Sequence, residues 1–213
     1  MKHSRVYGSA LILGAVGTVI TMIFHPTGGD LLQEDKHAAK FSEFLAIATH
    51  SLALISYPVL CFGFIGLYRK LAKNEVISTA ALVALFFGAF SILIAATASG
   101  LIAPTLTRQI LEADEVSRTT LHAFLDYNFA INQAFTKVFV VASSTSIVLW
   151  SVNLWKEGIY ARVVSGVGCL IALISLLAFF GGHLQLDVHG FGLLAFAQAF
   201  WMILVGIFLF RAK

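Results

Sequence analysis

His122 and Asp126 stand four residues apart, so on a helix they share one face and offer an imidazole nitrogen and a carboxylate oxygen to the same partner. With His50, and with His25 or His189, they would complete a tetrahedral nitrogen and oxygen site for a transition metal, zinc first and copper second. A metal held this way would activate water for hydrolysis of a lipid or other amphiphile, with Glu43 as the general base. Lys137 would serve with Asp126 and Glu43 as a relay for protons or substrate, against a plainer role as an ion-pair partner or a lysine that snorkels to water. His183 and Asp187, beside His189, would cap such a site or simply be solvated.

The same imidazoles suit a second chemistry. Two histidines on facing helices can hold a haem iron axially, and the pairs to expect are His50 with His122, or His25 with His189, in a pocket drawn from the 19 phenylalanines. That reading makes the protein an electron carrier. A third reading has no cofactor: Asp126 and Lys137 move protons in a coupled transporter, or hold helices together in an assembly partner.

All three readings need elements that place these residues at one height, and the composition says which elements those are. Apolar residues make up 59% of the 213 and charged residues 12%, against about 45–50% and about 25% in soluble domains. This excludes a soluble enzyme, a disordered chain and a disulfide-stapled module. Cys61 and Cys169 lie inside apolar runs and read as packing residues. The net charge of +3 comes from cations in short loops beside apolar runs, which points to membrane orientation rather than nucleic acid.

A spanning helix takes about 20 mainly apolar residues, and six such segments are expected: Arg5 to His25, Phe41 to Tyr68, Val76 to Ala103, Leu121 to Trp150, Arg162 to Gly181 and Val188 to Phe210. No small-residue cleavage site follows the first, which reads as a retained helix rather than a signal peptide. The fold class is therefore an all-α bundle of six transmembrane helices in one domain, residues 1–213. Lys2, Arg5, Arg69, Lys70, Lys73, Lys156, Arg162, Arg211 and Lys213 fall on one side; Lys36, Lys40, Arg108 and Arg118 fall on the other. The rule that cations stay inside makes both termini cytoplasmic, in a membrane of the bacterial inner-membrane type. Trp150, Trp155, Tyr160 and Tyr68 would form the inner aromatic belt. Nearly all histidines and carboxylates then lie toward the outer half, with lipid as the natural partner.

Helical periodicity puts His122, Asp126, Gln133, Lys137, Ser144 and Ser151 in one arc of the fourth span, a polar row that must face the bundle interior or a wet cavity. Glu43, His50 and Tyr57 repeat at heptad spacing on the second, which Pro58 should kink. Tyr7, Gly14, Thr18, Thr21 and His25 share a face of the first, and Gly88, Ser91, Ala95 and Ser99 give the third a seam of small residues for close helix approach. His50 lies about 27 Å of helix above Tyr68, near the outer hydrocarbon edge, and His25, His122 and His189 reach a similar level. Two outer connections are long. Residues 26–40 open with Pro26-Thr27-Gly28-Gly29 and offer Asp30 as an N-cap with Gln33 in capping-box position. Residues 104–120 begin at Pro104, which should end the third helix. The two could cover the outer surface as a small cap.

The His122-x-x-x-Asp126 set is similar in kind to the alkaline ceramidase and adiponectin-receptor hydrolases, a resemblance that implies metal-dependent cleavage of a lipid amide. Those proteins have seven spans and a paired H-x-x-x-H motif on a late helix, where this chain has six spans and His189 alone. In helix count the chain also resembles the six-helix membrane cytochromes b, but those carry histidines on both membrane sides. The resemblance covers a handful of positions and assigns no residue a role.

Overall fold

The computed structural model describes residues 3–26 and 36–211, leaving the side chains of Lys36 and Ala39 aside. The described chain is helical throughout, with short turns between seven helices. Helix α1 runs Ser4–Ile23, α2 Lys36–Lys70, α3 Glu75–Thr97, α4 Ala103–Glu112, α5 Glu115–Leu154, α6 Ile159–Phe180 and α7 Val188–Arg211. A short 3-10 turn, Ala72–Asn74, leads into α3, and a π-helical segment, Ala98–Ile102, joins α3 to α4. Six stretches are long and apolar enough to cross a membrane: Ser4–Ile23, Lys40–Lys70, Ala72–Glu112, Glu115–Leu154, Ile159–Phe180 and Val188–Arg211. The expected cap of Asp30 and Gln33 lies outside the described residues.

The third span corrects the expectation at Pro104. The helix does not end there. Pro104 cannot donate a backbone hydrogen bond, and the widened π turn just before it takes up the register change, with the Ala103 N–H reaching the Ala98 carbonyl. The chain then continues as α4 for ten residues. Helix α5 begins earlier than its apolar run, because the Asp114 side chain accepts a hydrogen bond from the Ser117 N–H at 2.8 Å and caps it. That bond holds the Asp114 carboxyl below its ordinary value. Helix α2 runs on through Pro58.

The outer surface of the bundle is strongly apolar. Leu13, Val83, Phe87, Leu170, Leu177 and Leu193 are among many large apolar side chains on its outside, more than a soluble monomer exposes. Inside, α3 and α5 are laced by polar groups. Ser146 donates to the Ala81 carbonyl at 2.8 Å, and Asn153 donates to Ser78 at 2.9 Å and accepts from Asn74 at 3.1 Å. Small residues bring α1 against its neighbours as the sequence suggested: a methyl group on Gly14 would strike Leu60, and one on Gly8 would strike the Gly206 carbonyl. Toward the Lys70 end of α2, the rings of Phe64, Trp150 and Trp201 stack with centroids 6.1 Å apart from Phe64 to each indole. Trp150 is fully buried there and is no part of a surface belt, whereas Trp155 is exposed. The indole of Trp150 packs in the stack because its helix turns that position inward.

Candidate functional site

His25 follows the end of α1, where the Phe24 N–H closes the last turn on Ile20 and Pro26 prevents the helix from continuing. His50 sits mid-way along α2 and is 5% exposed. The two rings meet edge to face with centroids 4.6 Å apart, and their Nε2 atoms lie 3.1 Å from each other. Each ring is anchored by its other nitrogen. His25 Nδ1 donates to the Pro26 carbonyl at 2.8 Å, and His50 Nδ1 donates to the Ala46 carbonyl at 2.7 Å. Burial holds the His25 imidazole below its ordinary value, against a smaller opposite effect of its bond to Pro26.

Gly100, in the π segment, is what lets His50 occupy its place: a methyl group there would overlap the His50 side chain. Two asparagines of α5 hold that segment. Asn128 donates to the Ala98 carbonyl at 2.9 Å, and Asn132 donates to the Ala95 carbonyl at 3.0 Å and to Ser99 at 2.6 Å. A π turn leaves carbonyls at irregular angles, and the side-chain amides satisfy them.

The histidine pair forms part of the wall of a cavity of about 780 Å³. Most of its lining is apolar, with Met22, Ile92, Leu125, Phe129 and Phe191 prominent. Asp126, Gln133 and Asp187 add polar groups, and among the described residues no lysine or arginine lines it. Gln133 donates to the Leu186 carbonyl at 3.1 Å, tying α5 to the turn before α7. Asp187 accepts from the Gly190 N–H at 2.8 Å and so caps α7. Asp126 makes no hydrogen bond or ion pair among the described residues. Tyr57 lies at the far end, 8% exposed, with its ring against Phe139 at 5.9 Å. It separates the cavity from a void of about 10 Å³ under Leu60, Phe64 and Met202.

Of the five expected ligands, His25 and His50 come together and Asp126 faces the same cavity. His122 and His189 are exposed and do not line it, because α5 and the first turn of α7 turn those positions outward. Among the described residues no three His, Cys, Asp or Glu side chains gather around one point. The haem pairs His50–His122 and His25–His189 are not formed, since His25 and His50 take each other as partners. Glu43 is bonded to Arg108 at 3.2 Å and lies outside the cavity wall. Lys137 is exposed, lies off the cavity wall and makes no ion pair among the described residues. The polar row of α5 therefore splits: Asp126 and Gln133 reach the cavity, and Ser144 and Ser151 are buried in the helix packing below it. Sequence reasoning missed Gly100, Asn128 and Asn132. The asparagines alone carried a readable signal, two amides one turn apart in an apolar helix. No family model, curated protein or solved structure matches the chain.

Proposed function

We propose that the chain is an integral protein of a bacterial inner membrane, with both termini cytoplasmic, whose outer-half cavity binds a membrane amphiphile. The observation that carries this is the cavity itself. Its volume of about 780 Å³ falls within the range of small-molecule sites, roughly 300–1,000 Å³, and it combines an apolar body with polar groups that include His25 past the end of α1 and His50 mid-way along α2. An amphiphile would place its chain along Ile92, Phe129 and Phe191 and its polar head beside His25, His50 and Asp126. Among the described residues the head would meet no lysine or arginine, which favours a neutral or hydrogen-bonding group over a free phosphate. Hydrolysis by a zinc-bound water uses three protein ligands, and only two side chains meet here, so the function proposed is binding.

Transport along α5 is a weaker reading. Below Tyr57 and Phe139 the interior closes on the Phe64, Trp150 and Trp201 stack, with a void large enough for about one water. The test is extraction of lipids from protein purified in mild detergent, followed by mass spectrometry. About one amphiphile per chain is expected, and Ala53→Phe, which fills the cavity, should lower that share severalfold. Equal retention by both proteins, or none by either, would overturn the reading.

A further inference from the structure

We propose that His25 and His50 together bind one transition metal ion, zinc in the first instance, between their Nε2 atoms at the cavity wall. This rests on the cavity being an accessible site, as proposed above, but not on the identity of its lipid.

The argument is one of proton accounting. A backbone carbonyl can only accept a hydrogen bond. Since both Nδ1 atoms are bonded to carbonyls, of Pro26 and of Ala46, both must carry their proton. A neutral imidazole has one N–H, so both Nε2 atoms are then bare lone pairs. These lone pairs face each other at 3.1 Å. Two acceptors at that distance repel unless something positive lies between them, and among the described residues no lysine or arginine lines the cavity to supply it. A second proton would relieve the repulsion, but it would place a charge on a pair whose His50 ring is only 5% exposed.

A metal ion meets the same need with better geometry. Zinc binds imidazole at about 2.0–2.1 Å in a tetrahedral shell, which places two nitrogen ligands roughly 3.3 Å apart. The pair needs to open by only a few tenths of an ångström. The orientation is also that of metal-binding histidines, whose second ring nitrogen donates to a carbonyl and so fixes the tautomer. Asp126 faces the same cavity with its carboxylate unpaired among the described residues, and it supplies compensating charge to an ion that completes its shell with water.

The experiment uses the full chain in detergent, stripped of metal with a chelator and then titrated with zinc chloride or copper(I) against a chromophoric competitor. One ion per chain is expected. His25→Gln and His50→Gln should each weaken binding by about 100-fold or more, while His122→Ala and His189→Ala leave it unchanged. His25 lies beyond the end of α1, so its variant tests the site even if the buried His50 variant misfolds; helicity and elution volume report folding for both. Uptake of neither metal overturns the proposal, as does equal uptake by wild type and a folded His25→Gln protein, or a loss in His122→Ala as large as in His25→Gln. Lipid extraction from the metal-free protein separates the two readings. A bound amphiphile without metal uptake defeats this inference alone, and metal uptake without an amphiphile defeats the functional reading alone.

Discussion

At the scale of single residues, the site depends on an absent side chain as much as on those present. His50 reaches His25 because position 100 has no Cβ. Gly100→Ala should therefore cost about 1–3 kcal/mol by overpacking and separate the two imidazoles. A lowered midpoint in thermal unfolding, together with loss of zinc binding, would check this; a protein of unchanged stability would contradict it. The importance of His50 was legible in the sequence, since a histidine in an apolar span needs a partner. Its partner was narrowed only to His25, His122 or His189 among the histidines, because His25 lies beyond the end of another helix and the approach of the two depends on where a glycine of a third element falls. Glu43 shows the opposite case. It shares the heptad row of His50 and Tyr57, yet it is satisfied by Arg108 at 3.2 Å, outside the cavity wall. Periodicity gives a direction around a helix, not a partner.

At the scale of elements, the π segment Ala98–Ile102 is the piece on which the cavity is built. It shifts the register of the third span, carries the chain past Pro104 and sets Ser99 and Ala103 against the cavity. The amides of Asn128 and Asn132 hold it to α5. Asn128→Leu and Asn132→Leu should each cost about 1 kcal/mol, in the range of interhelical hydrogen bonds inside membranes. Faster amide exchange in residues 98–103 than elsewhere in the third span is the local signature expected, and uniform exchange would refute the role assigned to them. In the sequence Pro104 reads as a stop, because a proline removes a donor and crowds the preceding turn. What the sequence did not display is that the turn before it widens and the amides of a neighbouring helix satisfy the disturbed carbonyls.

At the scale of the whole molecule, many large apolar side chains face outward around an interior that mixes apolar packing with buried serines, threonines and amides, which suits a hydrocarbon solvent. The orientation proposed for the bundle rests on loop charge, with Lys70, Lys73, Lys156 and Arg162 at one end and Arg108 and Arg118 at the other. A single cysteine placed at Lys156 should react with a membrane-impermeant maleimide only after the cells are opened, and one placed at Arg118 should react in intact cells. The reverse pattern would invert the topology. The histidine pair and the cavity would then face the cytoplasm, without change to their chemistry.

The sequence by itself determined that six stretches are apolar and long enough to cross a membrane, and it placed most of their ends to within a few residues, the end of the third and the start of the fourth excepted. These are properties of composition and period, and each helix carries them alone. Tertiary structure decided that His25 faces His50 while His122 and His189 turn away, that α5 divides its polar row between a cavity and a packed interior, and that the third span runs past its proline. Those outcomes depend on how far one helix is rotated and shifted against the next, which is fixed by the summed contacts of glycines, asparagines and aromatic rings on different helices.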